Sequence, residues 1–303
     1  MNAWLPTAPC TPAACLEPSR PATAVPLAVL RLTVVAVLLL TGTATVLTPL
    51  GRLVPAAVVR CWCRWIVRAA GVRVRVSGAA APTGGLLLVA HHVSWLDIPL
   101  LAAVRPARML AKSEIRSWPV AGALAARGGV LFIERDRLRA LPDTVAAIAR
   151  ALRAGAAVAA FPEGSTWCGR AHGRFRGAVF QAALDARVPV QPVRIRYRTG
   201  GRTVSTAPAF VGDDTLLASL WRVASARGGI TAEVEVLPAV PPGRHRDRRA
   251  LADAAQPTES RSSTGRDGHP GKAPSKSTRP LFLMFRFRKA DEDIRKAGTP
   301  EGG

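Results

Sequence analysis

GGLLLVAHHVSWLDIPLL, residues 84–101, is the stretch on which the reading of this chain turns. Leu86 to Ala90 is a run of five apolar residues, the length of a strand and too short for a helix. The run stops at two histidines, His91 and His92, and a helical segment follows near 97–104. A strand that ends in polar residues and feeds a helix is half of a β-α unit.

The same succession repeats outward. In GVRVRVSG, Val72, Val74 and Val76 face one way and Arg73 and Arg75 the other, which is strand periodicity. Further short apolar runs are RMLA at 108–111, GVLFI at 129–133, AVAAF at 157–161 and VPVQPVRI at 188–195. Helical segments fall near 138–153, 176–186 and 214–226. This alternation predicts an α/β fold with a mostly parallel sheet flanked by helices, and ligands near the carboxyl ends of the strands.

Those ends carry the chemistry. Run 86–90 leads into His91 and His92, run 129–133 into Glu134 and Arg135, and run 157–161 into Pro162, Glu163 and Gly164. Parallel strands release their chains on one edge, so His92, Arg135 and Glu163 are expected around one cleft.

His92 is followed five residues later by Asp97. A carboxylate bonded to one imidazole nitrogen fixes the tautomer and leaves the other nitrogen to take a proton. The bland alternative is a helix-capping Asp97 beside a structural histidine. No GxSxG nucleophile elbow occurs in the chain, so a substrate hydroxyl would stand where a hydrolase has its serine. Arg135 and Lys112 are candidate anion-binding cations, although either one taken singly is better read as a surface salt bridge. Gly164, in FPEGST, allows backbone N–H groups to approach an anion or a developing oxyanion.

Ahead of this region, Leu32 to Gly51 contains no charge, and as a helix at ~1.5 Å per residue it would match one hydrocarbon core. A bilayer span and a re-entrant hairpin arm both fit. The next segment stacks Arg60, Arg64 and Arg68 on one helical face near Trp62 and Trp65, as in a helix lying on an anionic membrane or covering a protein core. Arginines are denser after the apolar run than before it, which places the body on the cytoplasmic side.

The domains expected are a disordered leader at 1–24, membrane-anchoring helices at 25–70, a catalytic domain at 71–254 and a disordered tail at 255–303. The tail includes the apolar and basic patch LFLMFRFRK at 281–289, and removal of residues 256–303 is expected to leave activity intact.

The formal charge of +22, from 42 basic and 20 acidic side chains, suits an anionic membrane or nucleic acid. The arginines are spread along the chain and no nucleic-acid motif accompanies them, so nucleic acid is not expected as a partner. A non-catalytic basic binding protein is the rival reading from another class. Cys10, Cys15, Cys61, Cys63 and Cys168 show no CxxC spacing and point to neither a disulfide framework nor a zinc site.

HHVSWLD, GGVLFIER, FPEGS and VPVQPV, in that order between about residues 71 and 240, resemble the four ordered blocks of the glycerolipid acyltransferases, typified by the 1-acylglycerol-3-phosphate acyltransferases. The resemblance implies that His92 is the general base and Asp97 its orienter. It implies that Arg135, Glu163 and Gly164, with neighbouring Ser165, bind the acceptor, joined by Lys112 of a KxEL-like segment, here KSEI. It further implies an acyl-CoA or acyl-carrier-protein donor, a lysolipid acceptor at the membrane, and neither metal nor cofactor. The expected acceptor is 1-acylglycerol-3-phosphate. Where FPEGTR is common, this chain has Ser165 and Thr166 in FPEGST, and its WCRW helix resembles the lyso-ornithine lipid acyltransferases, so lyso-ornithine lipid is the alternative acceptor.

Overall fold

Five neighbouring strands of one sheet run parallel, and their order decides which residues can meet. A computed structural model of the chain describes residues 8–16, 25–117, 127–134, 138–200, 203–226 and 229–257. The tail patch at 281–289 lies outside them.

The strands are β1 (Val72–Ser77), β2 (Leu86–Ala90), β3 (Arg108–Lys112), β4 (Leu131–Ile133), β5 (Ala157–Ala160), β6 (Val190–Thr199), β7 (Thr203–Val204) and β8 (Ile230–Val236). The sheet order is β1-β8-β6-β2-β5-β3-β4, with β7 paired to β6. Strands β6, β2, β5, β3 and β4 are mutually parallel, while β8 runs antiparallel to β6 and parallel to β1. The predicted class, a mostly parallel sheet flanked by helices, is the one observed.

The helices are α1 (Pro12–Cys15), α2 (Val25–Leu47), α3 (Ala56–Ala69), α4 (Asp97–Val104), α5 (Leu141–Arg153), α6 (Ala178–Ala186), α7 (Leu216–Ala224) and α8 (Arg248–Ala255). Every residue of β2 is buried, because helices cover both faces of the sheet. Leu86, Leu88 and Ala90 join one core with Val67, Leu100, Leu101 and Val223, while Leu87 and Val89 join the other with Ile148, Leu152, Phe180 and Leu251. Burial on both sides is why this strand reads as an unbroken apolar run.

Strands β7 and β8 and helix α8 went unread in the sequence. In β8, ITAEVEV, burial alternates strictly, with Ile230, Ala232, Val234 and Val236 buried. Helix α8 extends the domain beyond its expected end at 254, since Ala255 and Pro257 are buried. The expected leader also changes. Residues 8–16 carry the one-turn helix α1, capped by the Thr11 hydroxyl, and Cys10 is buried.

Helices α2 and α3 form an antiparallel hairpin. Gly42 lies against the Trp62 indole, and Arg31, near the start of α2, lies against Gly71 just past the end of α3. Arg31 Nη1 also donates to the Ala224 carbonyl of α7 at 2.7 Å. Helix α2 is 23 residues long and apolar enough to cross a membrane by length and composition. Its pairing with α3 nevertheless brings the chain back to the sheet on the side it left. Ile66 and Val67 of α3 are buried, and α3 packs on α4, the helix that begins with Asp97.

Candidate active site

Strands β2 and β5 are direct neighbours, with Val89 opposite Ala160. Their carboxyl ends therefore release His91-His92 and Phe161-Pro162-Glu163 side by side, and the two loops are stitched together by these residues.

Asp97 opens α4 and its side chain is fully buried. Its Oδ2 accepts from His92 Nδ1 at 2.9 Å and from the backbone N–H groups of Val93 at 2.7 Å and Ser94 at 2.8 Å. Its Oδ1 accepts from the Tyr197 hydroxyl at 2.6 Å. Four donors around one carboxylate fix its plane. Burial, and then the charge of Asp97, hold the Tyr197 phenol well above its ordinary range, so it remains a donor, and the Ser94 side chain is hydrogen-bonded to it in turn. The bond to Asp97 assigns the proton to His92 Nδ1 and leaves Nε2 as the basic nitrogen. The imidazole keeps 23% of its side-chain surface exposed and stacks on Phe161, with ring centroids 4.0 Å apart.

Glu163 is held just as closely. Its Oε2 accepts from the His92 backbone N–H at 2.8 Å, and its Oε1 from His91 Nδ1 at 2.8 Å and the Gly173 N–H at 2.6 Å. The side chain is fully buried, so its oxygens face the chain's own donors. Glu163 thus clamps the backbone of the histidine loop to its own loop. Gly164, at φ +75°, turns that loop and donates to the Phe161 carbonyl at 3.1 Å. Ser165 is half-buried in the same turn, and the Trp167 N–H closes it onto the His92 carbonyl at 2.8 Å.

Lys112 leaves the sheet two strands away from β2. Lys112 ends β3, opposite Ile133 of β4, and its side chain is outside the described residues, as is the whole of Arg135. At ~4.8 Å between neighbouring strands, the end of β3 lies about 10 Å and that of β4 about 14 Å from β2. His92 and Glu163 therefore meet through adjacent strands, whereas β3 and β4 border the site from the side.

Beside His91 opens a cavity of about 440 Å³ lined by Arg170, His172, Arg174, Asp253 and Gln256. The ligand atoms of His91, Glu163 and His172 lie within 4.8 Å of one another, a spacing that suits a metal ion. A metal there would have to displace the clamp bonds from His91 and Gly173, and the stacked rings of His91 and His172, 28° apart, do not splay around a common point.

Sequence reasoning missed Tyr197, Phe161 and the role of His91. Tyr197 sits in β6, 100 residues from its partner, and nothing local marks it. Taken together, the site is a buried carboxylate orienting a partly exposed imidazole, next to a loop turned by glycine. Such a constellation can take a proton from a hydroxyl and needs a second substrate to attack.

Comparisons with known proteins bear on what that substrate is. The family model described as Acyltransferase matches residues 73–196. The lyso-ornithine lipid O-acyltransferase of Pseudomonas aeruginosa is 41% identical, over 65% of this chain and 74% of that protein. The 1-acyl-sn-glycerol-3-phosphate acyltransferase of Neisseria gonorrhoeae is 38% identical, over 58% and 69%. The lyso-ornithine lipid O-acyltransferase of Rhizobium meliloti is 35% identical, over 64% and 70%.

Proposed function

The chain belongs to the acyltransferase family, and from that premise we propose that it moves a fatty acyl group from a thioester, acyl-CoA or acyl-carrier protein, to the hydroxyl of a lysolipid. The observation that carries this reading is the bond from His92 Nδ1 to Asp97, which leaves Nε2 free to act as base.

In the proposed step His92 Nε2 takes the acceptor's hydroxyl proton as the oxygen attacks the thioester carbonyl. The new C–O bond forms, the C–S bond breaks, and the proton passes from His92 to the departing thiolate. Asp97, held by Tyr197 and two backbone amides, stabilises the imidazolium in between. The backbone N–H groups of Ser165 and Thr166, which follow Gly164, are the donors proposed for the oxyanion, since the Gly164 N–H is bonded to the Phe161 carbonyl.

The acceptor favoured is lyso-ornithine lipid, whose head group carries a free carboxylate and an ammonium. Two features support it. The cavity beside His91 is lined by charges of both signs, Arg170 and Arg174 with Asp253. The FPEGST turn continues with Thr166, where an arginine is common in the 1-acylglycerol-3-phosphate acyltransferases. 1-Acylglycerol-3-phosphate is the second reading, supported by the 38% identity to an enzyme of that name.

A membrane location fits the exposed apolar surface of the hairpin and of α7. Leu30, Leu40 and Leu53 are exposed on the hairpin, and Leu216 and Leu217 on α7, where an interfacial lipid surface would cover them. The proposed location is the cell membrane, with the site facing the cytoplasm.

The test is an assay of the detergent-solubilised chain with labelled acyl-CoA and acyl-carrier protein as donors and both lysolipids as acceptors. Transfer to either acceptor is expected, with preference for lyso-ornithine lipid, and His92→Ala should lower the rate by ~10² to 10⁴. No transfer to either acceptor, or an unaffected His92→Ala enzyme, would overturn the reading.

A further inference from the structure

Three of the five cysteines, scattered in the sequence, meet in space. The sulfurs of Cys10, Cys15 and Cys168 all lie within 4.8 Å of one another. Cys10 and Cys168 are buried and Cys15 is half-buried. A local device brings the first two together. Thr11 caps one turn of helix, Pro12 starts it, and the Cys15 N–H bonds back to the Thr11 carbonyl at 3.0 Å, returning Cys15 to the side of Cys10. Cys168 arrives from the far side, one residue after Trp167 is tied to the His92 carbonyl.

We infer that Cys10, Cys15 and Cys168 form a three-thiolate site for a thiophilic divalent ion of the zinc class, which clips the N-terminal segment to the loop behind His92. Zinc sits about 2.3 Å from each thiolate, so three ligand sulfurs of a tetrahedral ion stand about 3.8 Å apart. The observed cluster needs a contraction of at most about an ångström to reach that geometry. Water would take the fourth position on the side of the partly exposed Cys15.

The backbone is arranged for negative sulfur. The N–H groups of Arg170 and Ala171 point at the Cys168 sulfur, and the Cys168 N–H points at that of Cys10. N–H donors two and three residues past a cysteine are what a metal-bound thiolate uses to spread its charge. Burial raises the Cys168 thiol, but the Arg170 amide and the Cys10 and Cys15 thiols outweigh it and leave it lowered. Burial pushes the Cys10 thiol up to about 12. Packing of thiols as small hydrophobes explains neither the convergence of three sulfurs nor the amides aimed at them.

The site gives the N-terminal segment a reason to be ordered. The leader residues also rest on the loop at Gly212, where the Cys10 carbonyl and the Pro12 ring approach. That loop is bonded in turn from the Phe210 N–H to the Val93 carbonyl, next to His92. A bound ion would join two segments that both brace the 91–97 connection. The inference is independent of the acyl-transfer reading.

The full chain, purified in detergent under reductant and stripped of metal, is titrated with zinc and separately with cobalt(II). Wild type should retain about one equivalent of zinc after desalting and show a cobalt-thiolate charge-transfer band in the near ultraviolet. Cys61→Ser with Cys63→Ser should keep both signals, and Cys10→Ser or Cys168→Ser should lose them. Should the serine variants fail to fold, the wild-type stoichiometry and cobalt spectrum decide alone. Substoichiometric zinc with no thiolate band in wild type overturns the proposal. So does binding that survives the Cys10, Cys15 and Cys168 triple serine variant, or a disulfide joining two of the three in the isolated protein.

Discussion

Tyr197 donates its hydroxyl to Asp97 Oδ1 at 2.6 Å, the carboxylate oxygen opposite the one that holds His92. The orienting carboxylate is thus itself oriented, from a strand two thirds of the way along the chain.

Tyr197→Phe removes one of four donors and leaves Asp97 Oδ1 buried without a partner. A hydrogen bond to a charged group contributes about 1.5–3 kcal/mol, so kcat should fall about tenfold or more, with KM for the acceptor nearly unchanged. An acceptor KM that rises while kcat holds would refute this positioning role for Tyr197. The kinetics are measured in mixed micelles with both acceptors.

Asp97→Asn should be milder than Asp97→Ala. The N–H groups of Val93 and Ser94 both need an acceptor at the Oδ2 position, so they force the amide oxygen there. That oxygen still accepts from His92 Nδ1, and the amide NH2 faces Tyr197, whose hydroxyl can turn to accept. The tautomer survives and only the charge is lost. A rate loss of about 10² is expected for Asn, against up to ~10⁴ where the orienter is removed altogether. Equal losses in kcat for the two variants would contradict this account.

Glu163→Gln has no comfortable rotamer. Oε2 faces the His92 N–H and Oε1 the Gly173 N–H, so the amide NH2 must oppose a backbone donor either way. An unsatisfied buried donor costs about 1–3 kcal/mol, which at this size lowers Tm by ~2–4 °C per kcal/mol. Thermal melting in detergent, read beside the acceptor KM, separates two roles. A lowered Tm with reduced kcat marks the clamp, whereas an unchanged Tm with a raised KM returns Glu163 to acceptor binding.

The tail boundary can be set to the residue. Gln256 Nε2 donates to the Gly173 carbonyl at 3.1 Å and its Oε1 accepts from the Phe175 N–H at 3.2 Å, so it holds the strand of loop that supports Glu163. Truncation after Pro257 should retain full activity, whereas truncation after Ala255, or Gln256→Ala, should lower the melting temperature and the rate. Equal melting curves for the two truncations would show that Gln256 contributes nothing.

The elements nearest the site were the most legible. Residues 86–90 and 97–104 emerge with the bounds the pattern implied, because a strand covered on both faces must be apolar throughout and α4 packs its leucines inward. Strand β8 and helix α8 were missed although β8 alternates cleanly. Thr231, Glu233 and Glu235 in β8 and Arg248, Arg249 and Asp253 in α8 dilute the apolar signal of both.

Sequence alone determined the α/β class, the His92 and Asp97 pair and the family, because each is written in local spacing: strand runs, a five-residue step, four ordered blocks. Only the tertiary structure decided what stands around that pair. Tyr197 reaches Asp97 across 100 residues, Glu163 reaches the His92 backbone across 71, and Cys168 meets Cys10 across the first five strands. Such partners follow from strand order, β2 between β5 and β6, and strand order is fixed by packing among distant segments.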